Sequence, residues 1–347
     1  MDKFEPGLTA ETIAELFTEL KHGLQSIIDK CASSPNPPDP SLLHKQVPIT
    51  AQRQLAKSLA NFLEYDVASE EAGGRIDETE HPFTTGYYDD VRITTNYHEE
   101  DFTASFFSVL HEGGHAIHGR NQKREWMFQL VGSSASAGFS ESQARFVENI
   151  VGRSKAFWRH YFPKFQNITN GTFSDIDLDT FFRAINVVQP SKIRIKADEV
   201  TYCLHIVIRF EIERKLFAGD IAVAELPTIW NQKYEDYLGV RIEDDAEGVL
   251  QDTHWASGLY GYFPSYALGN IYSGQLLDSL EEDLPEWRTS LTKGDFHPIK
   301  NWLIQNVYQH GALYDPEELI SKITGEDLTV QDYLEYLQNK YFQLYDF

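Results

Sequence analysis

Two histidines stand four positions apart in this chain, with a glutamate directly after the first one. The segment is His111-Glu112-Gly113-Gly114-His115. Residues four apart lie on one face of a helix, so both imidazoles can reach a single metal ion while the carboxylate of Glu112 lies beside it. The pattern therefore predicts a helix that carries a zinc centre with hydrolytic chemistry. The alternative is a surface helix that carries two histidines by coincidence.

The residues around the motif favour an amphipathic helix. We expect it to begin near Asp101 and to end at Gly119. Gly113 and Gly114 each cost a helix about 1 kcal/mol relative to alanine, so a closely packed substrate or second helix is expected to offset them. The apolar positions recur at helical spacing and are Phe102, Phe106, Val109 and Leu110.

A catalytic zinc ion usually has three protein ligands and one open position, so a third ligand is expected elsewhere. Glu141 is the best candidate. Ser140 and Gln143 have the spacing of a capping box that opens a second helix, which could lie antiparallel to the first. Arg145 and Glu148 share a face with Glu141 on that helix, and Glu148 is the alternative ligand.

His118 follows the motif at an offset that does not match the third-histidine pattern of related zinc sites. We therefore expect His118 to lie outside the ligand set, either next to a ligand or facing solvent.

The charge of the chain excludes some classes of partner. It has 347 residues, with 30 basic against 53 acidic side chains, for a net charge of −23. Such a surface repels phosphate backbones and anionic lipid, so neither nucleic acid nor membrane is expected as a partner. The two cysteines, Cys31 and Cys203, and the absence of an apolar leader or a long apolar run predict a cytoplasmic protein.

Periodicity along the chain predicts one mostly α domain over residues 1–347, with a small sheet next to the metal-binding helix. The clearest strand runs from Asp90 to Tyr97, where apolar and polar residues alternate. Helices are predicted over a stripe from Ile13 to Ile28, over 50–65, 142–160, 176–188, 198–217 and 223–237, after Asp315-Pro316, and at the C-terminal end.

Five further segments bear on identity. They are His81-Pro82-Phe83, Asp90-Val91-Arg92-Ile93-Thr94, Ile193-Arg194-Ile195-Lys196-Ala197-Asp198, Gly248-Val249-Leu250-Gln251-Asp252-Thr253-His254-Trp255 and Gly261-Tyr262-Phe263-Pro264. Together with the metal motif, and in this order, they closely resemble the carboxypeptidase Taq family of metallocarboxypeptidases. The resemblance extends from about Phe4 to the C-terminus.

The resemblance implies a zincin-like, largely helical exopeptidase, usually a homodimer, that uses zinc or cobalt to release C-terminal residues from peptides. By position, the family's ligands fall on His111, His115 and Glu141, with Glu112 as the catalytic base. The chain departs from the family in two ways. Ser140 stands where the family normally has histidine, and the long helical segment that usually precedes Phe4 is absent, so the chain resembles a shortened member.

The expected reaction is attack of a metal-activated water on the scissile carbonyl, with Glu112 as general base. Hydrogen-bond donors should stabilise the developing oxyanion. The candidates are His254, Tyr260 and Tyr262, and the alternative is that these side chains are simply packed aromatic residues.

An exopeptidase also needs a fixed cation for the free carboxylate of its substrate. Arg194 lies in an apolar run and needs an anionic partner, which is either this carboxylate or Asp198. The resemblance favours the substrate. Arg92 is the second candidate, with an ion pair to Asp90 as its alternative, and its strand could bind an extended peptide at its edge. His81 is expected near the cleft or as an ordinary buried histidine.

Two other functions remain as alternatives. The same three ligands could serve a zinc oligopeptidase or endopeptidase, which would have no carboxylate anchor. A shortened family member could also be a non-catalytic binding partner. Cleavage of peptides with free and amidated C-termini separates these hypotheses.

Overall fold

Thirteen α-helices and one three-stranded sheet make up the fold, and the computed structural model describes every residue from Met1 to Phe347. The mainly α architecture with a small sheet is thus confirmed. The helices are α1 (Ala10–Ala32), α2 (Ile49–Phe62), α3 (Phe102–Arg120), α4 (Ala137–Arg145), α5 (Lys155–Ile168), α6 (Leu178–Ala184), α7 (Tyr202–Ala218), α8 (Leu226–Leu238), α9 (Phe263–Asp283), α10 (Trp287–Thr292), α11 (His297–Asn306), α12 (Pro316–Thr324) and α13 (Gln331–Tyr345). The strands are β1 (Gly74–Glu78), β2 (Thr84–Tyr87) and β3 (Asp90–Thr95).

Helix α3 carries the histidine motif and begins where its sequence predicts. The side chain of Asp101 caps it by accepting a hydrogen bond from the Ala104 N–H at 3.3 Å. The helix does not end at Gly119, however, but continues to Arg120. The side-chain amide of Asn121 donates to the Ile117 carbonyl at 2.6 Å, so a polar side chain satisfies this carbonyl and no glycine is needed at the end.

Helix α4 begins earlier than the predicted capping box. Its N-cap is Ser136, whose hydroxyl accepts from the Phe139 N–H at 2.9 Å. The capping box at Ser140 and Gln143 is therefore wrong, because both residues lie inside the helix. The change leaves the Ser140 hydroxyl free for another partner near the metal motif.

The predicted helix over 142–160 is interrupted. Helix α4 continues into a π-helical stretch, Phe146–Val151, and a new helix starts at Lys155 with Ser154 as its N-cap. The 21-residue helix α9 was not predicted at all, nor were α10 and α11. Helix α9 is buried on nearly every side against α4, α7, α12 and α13, so it shows no apolar stripe.

The sheet lies against α3 in the order β1-β3-β2. β1 runs parallel to β3 and β2 runs antiparallel to it. The predicted strand is therefore the central one and stops at Thr95, two residues before Tyr97. Both of its edges are paired, so it cannot add a peptide strand as expected, and the edge position on one side belongs to β2.

Most buried apolar side chains form one cluster of 81 residues. Cys31 and Cys203 are both buried, and neither forms a disulfide. None of the helices combines the length and apolar composition needed to cross a bilayer.

Two glycines allow α4 to lie between α3 and α9 at very short distance. A Cβ atom added to Gly114 would lie 2.6 Å from the Gln143 carbonyl oxygen and 2.7 Å from the Ala144 Cα of α4. A Cβ added to Gly269 of α9 would lie 2.7 Å from Glu141 Cγ. The expectation that a closely packed helix offsets the glycines of the motif therefore holds for Gly114.

We expect Gly114→Ala to destabilise the fold by about 1–3 kcal/mol, because the backbone atoms it meets cannot move without displacing α4. Displacing α4 also moves Glu141, so affinity for zinc should fall. Gly119→Ala on the same helix is the matched control, since its Cβ makes only ordinary contacts, the nearest at 3.7 Å. Urea denaturation and zinc titration measure both effects, and equal behaviour of the two variants would contradict this account.

Candidate metal centre

His111, His115 and Glu141 bring three potential ligand atoms together between α3 and α4. These atoms all lie within 4.8 Å of one another. His111 Nε2 is 3.8 Å from Glu141 Oε1, and His115 Nε2 is 3.7 Å from Glu141 Oε2. Ligands of a tetrahedral zinc ion lie about 3.4 Å apart, so small adjustments would let all three bind one ion.

Hydrogen bonds on the far side of each imidazole ring fix its orientation. His111 Nδ1 lies 3.0 Å from Glu148 Oε2, and His115 Nδ1 lies 3.1 Å from Ser140 Oγ. When Nδ1 carries the proton and donates in these contacts, Nε2 is left as the lone-pair atom that faces Glu141. Both rings are therefore preset for a metal, which the coincidence hypothesis does not explain.

The charges around Glu141 favour its ionised form. Burial opposes ionisation, but the His111 imidazole and the Arg145 guanidinium outweigh burial and hold the pKa of Glu141 well below its usual range. Arg145 Nε donates to Glu141 Oε1 at 2.9 Å, and its Nη1 donates to Glu148 Oε2 at 3.2 Å. The shared face predicted for these three residues is thus present.

The surroundings lower the pKa of Glu148 and raise the pKa of His111. Despite burial, Arg145 and His111 lower the pKa of Glu148 to about 2. Burial disfavours the charged imidazole of His111, yet Glu141 and Glu148 raise its pKa above the ordinary value. Two carboxylates therefore attract a cation here, and a bound metal would replace the proton on His111. Two imidazole nitrogens and one carboxylate form a donor set that suits zinc.

Glu112 lies beside the ligands with its side chain directed into the same space. It is 6% exposed, and its Oε2 accepts a hydrogen bond from Thr84 Oγ1 at 2.6 Å. Thr84 belongs to the edge strand β2, so the sheet holds the carboxylate of Glu112 in place. One carboxylate oxygen then remains for a water or substrate.

The centre opens into a cavity of 1380 Å³ that extends along α3. His111, His115, Glu112 and Glu141 all line it. A space of this size is large enough for several residues of a peptide.

Arg194 lines the cavity and is already paired. Its Nε and Nη2 donate to Asp252, with the Nη2–Oδ1 distance at 2.7 Å, and its Nη1 donates to Tyr202 Oη at 3.1 Å. The alternative partner Asp198 is wrong, because the side chain of Asp198 accepts from Thr201 and nearby backbone N–H groups instead. Arginine has five N–H donors, so two remain for a substrate.

Asp252 is shared by two arginines. Arg209 is fully buried, and its Nη2 lies 2.7 Å from Asp252 Oδ2. Two cations face one carboxylate, so one positive charge is left over at the wall of the cavity. The Asp252 carboxylate stays ionised because hydrogen bonds from Arg194 and the charge of Arg209 outweigh burial and lower its pKa.

The structure does not bring Arg92 to the cavity. Its guanidinium donates to Asp90 through Nε and Nη2, both at 2.8 Å, on the exposed face of the sheet. This is the structural ion pair that the sequence left open as the alternative. Arg92 follows the period of β3 and therefore points away from the buried side.

The structure places the three predicted oxyanion donors at different positions relative to the cavity. Tyr262 lines the cavity, whereas Tyr260 is 43% exposed and packs on Phe217 outside it. Tyr260 therefore has no place in the centre. His254 does not line the cavity either, but its Nε2 lies 3.0 Å from the hydroxyl of Tyr266, which does. His254 therefore lies behind two residues of the cavity wall, Tyr266 and Tyr262, whose ring centroid is 5.7 Å from its own.

Three other histidines line the cavity, and they are His81, His98 and His118. His118 is 4% exposed and lies on Tyr308, with 4.8 Å between ring centroids, so of its two expected placements, next to a ligand or facing solvent, the second is wrong. Burial lowers the pKa of His118 to about 3, and its ring is neutral. His81 is exposed at the rim, which excludes the ordinary buried histidine that was its alternative.

Sequence reasoning missed the roles of Thr84 and Asp252. Asp252 belongs to one of the family-like segments. Its ion pair with Arg194 was not predicted because 58 residues separate the two in the sequence. Thr84 carries no pattern that links it to Glu112. Glu148 was identified as an alternative ligand, whereas the structure places it on the far nitrogen of His111.

Comparisons with known proteins show which family the chain is similar to. A family model described as "Carboxypeptidase Taq (M32) metallopeptidase" matches residues 1–341. Carboxypeptidase 1 of Bacillus subtilis is 47% identical over 346 residues, which are 99% of this chain and 68% of that protein. Thermostable carboxypeptidase 1 of Thermus thermophilus is 41% identical over 99% of this chain and 67% of its own length. The crystal structure of an M32 carboxypeptidase from Deinococcus radiodurans superposes with a TM-score of 0.95 at 37% identity, covering 100% of this chain and 69% of that one.

Proposed function

The chain belongs to the carboxypeptidase Taq (M32) family of metallopeptidases, and we propose that it releases C-terminal residues from peptides at the centre formed by His111, His115 and Glu141. The observation that carries this assignment is the convergence of these three side chains beside Glu112 on the wall of one cavity. A divalent ion held there would polarise the scissile carbonyl and make water a stronger nucleophile.

Glu112 is the general base in this proposal. Its free carboxylate oxygen takes a proton from the attacking water, and the same group then delivers that proton to the departing amine. Thr84 donates to the other oxygen at 2.6 Å, which keeps the carboxylate aimed at the cavity through both proton transfers. Tyr262 is the proposed donor to the developing oxyanion, because burial raises its pKa to about 12 and keeps its hydroxyl protonated.

Arg194 is the proposed anchor for the terminal carboxylate of the substrate. It lies in the cavity wall, is 5% exposed, and keeps two N–H groups beyond those that bind Asp252 and Tyr202. Arg194 and Arg209 together carry one more positive charge than Asp252 neutralises, and this excess supports binding of an anion at Arg194. This anchor distinguishes an exopeptidase from the endopeptidase alternative, and the named carboxypeptidase relatives favour the former.

We expect the zinc-loaded protein to cleave a peptide with a free C-terminus and to leave its C-terminally amidated counterpart nearly untouched. Arg194→Gln should lower kcat/KM for the free peptide by roughly 10- to 100-fold, since a hydrogen bond to a charged group is lost. The small rate for the amidated peptide should not change. Arg92→Gln is the matched control and should behave like wild type. The measurement is release of the terminal amino acid from both peptides.

Three results would count against this proposal. Equal cleavage of free and amidated peptides would support the endopeptidase alternative. A lower kcat/KM for the free peptide in Arg92→Gln but not in Arg194→Gln would show that Arg92 on the sheet binds the terminal carboxylate. Stoichiometric metal binding without hydrolysis of any peptide would support the non-catalytic alternative.

Zinc is the metal we propose, with cobalt as a substitute, because the ligands are two imidazole nitrogens and one carboxylate. A homodimer and a cytoplasmic location stay predictions. The first rests on the family resemblance and the second on two free buried thiols.

A further inference from the structure

The charged side chains of the cavity are distributed unevenly along α3. Thr103 and Phe107 from the first turns of α3 lie near Arg153 and Lys196, and the Arg153 guanidinium is 3.7 Å from the Phe107 ring centroid. Arg194 and Lys196 belong to one short 3-10 turn. The cations of the cavity wall are therefore found near the metal or toward the start of α3, and they are Arg145, Arg153, Arg194 and Lys196.

The other end of the cavity is lined by uncharged loop residues and carries exposed apolar side chains. Beyond the last turn of α3 the wall is formed by the loop between α3 and α4, and no charged residue of that loop lines the cavity. Two large apolar side chains in this loop are almost fully exposed, Phe128 at 84% and Leu130 at 95%. Tyr87 of the neighbouring β2 is 44% exposed and lies edge-on to Phe128, with ring centroids 6.2 Å apart.

The metal centre lies between these two ends of the cavity, because His111 and His115 stand in the middle part of α3. If the terminal carboxylate binds Arg194, the chain upstream of the scissile bond runs past His115 toward the end of α3. The helix rises 1.5 Å per residue and ends at Arg120, so the five residues from His115 to Arg120 span about 7.5 Å. An extended peptide therefore reaches the loop beyond the helix after about two residues.

We infer that Phe128 and Leu130 bind apolar side chains two to three residues upstream of the scissile bond, so the protein selects peptides that are apolar near their C-terminus. The inference rests on the proposed function and adds the substrate class to it. Covering exposed apolar surface with an apolar ligand lowers the free energy of the complex. None of the charged residues of this loop lines the cavity, so polar or acidic side chains would find no charged partner there.

Two N-acetylated peptides test the inference with the zinc-loaded protein. Acetyl-Phe-Phe-Ala-Leu and acetyl-Ser-Ser-Ala-Leu share the same terminal dipeptide and differ only at the upstream positions. We expect kcat/KM for leucine release to be about tenfold higher for the phenylalanine peptide. In the double variant Phe128→Ala/Leu130→Ala the ratio should fall to near one, while the rate for the serine peptide stays unchanged.

Phe342→Ala is the matched control, because Phe342 is 57% exposed on α13 and does not line the cavity. This variant should keep the tenfold preference. Cleavage of both peptides at equal rates by the wild type would overturn the inference and leave the proposed function intact, as would a preference that survives in the double variant. Failure to release leucine from either peptide would overturn the proposed function, and the inference with it.

Discussion

Glu112→Gln is expected to lower kcat by about 10²- to 10⁴-fold while the protein still binds one zinc ion. Glutamine has nearly the same shape and can still accept from Thr84, but it cannot take a proton from water. Glu112 is not among the three ligand side chains, so the ion should stay bound.

The experiment combines zinc analysis of the purified variant with release of the terminal residue from a free peptide. Glu80→Gln is the matched control, since Glu80 is an exposed glutamate at the rim of the same cavity. That variant should turn over at the wild-type rate. If Glu112→Gln retained turnover, Glu112 would not be the general base. If the variant lost zinc, Glu112 would be a metal ligand.

Asp252→Asn is expected to cost about 3–5 kcal/mol of the free energy of unfolding, because it leaves two buried guanidinium groups without their anion. Arg194 is 5% exposed and Arg209 is fully buried, so solvent cannot compensate for the lost charge. The loop that carries Arg194 would also lose its main contact. We therefore expect a weaker preference for the free carboxylate along with the loss of stability.

The effect of Asp252 depends on pH in a defined direction. Its pKa in the folded protein is lowered by Arg194 and Arg209, against the effect of burial. A carboxyl group with a lowered pKa stabilises the fold above the unfolded-state pKa, about 3.9 for aspartate, and this contribution is lost as the pH falls below it. The stability difference between wild type and Asp252→Asn should therefore be constant above about pH 5 and shrink below pH 4.

Urea denaturation at a series of pH values measures this difference. Asp90→Asn is the control, because the ion pair of Asp90 with Arg92 lies on the surface and should contribute little. A small loss in Asp252→Asn at neutral pH, or a difference that grows in acid, would contradict the charge assignment of this cluster.

The local patterns of the sequence predicted α3 and the family well. Residues four apart placed His111 and His115 on one face, and the face shared by Glu141, Arg145 and Glu148 followed from the same period. The family assignment and the mainly α fold are confirmed. These successes concern interactions within one helix or motif, where spacing along the chain sets spacing in space.

The failures concern interactions that tertiary structure decides. Helix α4 starts at Ser136 rather than at Ser140, and the Ser140 hydroxyl instead contacts His115 on another helix. Helix α9 has no polar face because it is buried on nearly every side. Its sequence therefore shows no helical alternation of apolar and polar residues that would predict it. Arg194 pairs with Asp252 across 58 residues, a distance at which composition gives no signal.

Zinc titration of the wild type and of Glu141→Ala is the most direct test of the centre. With His111 and His115 on one helix and Glu141 on the next, we expect one tightly bound ion per wild-type chain and a large loss of affinity in the variant. Ser142→Ala, a neighbouring substitution on α4 that removes no ligand, should bind zinc like wild type. Unchanged zinc affinity and stoichiometry in Glu141→Ala would contradict the account.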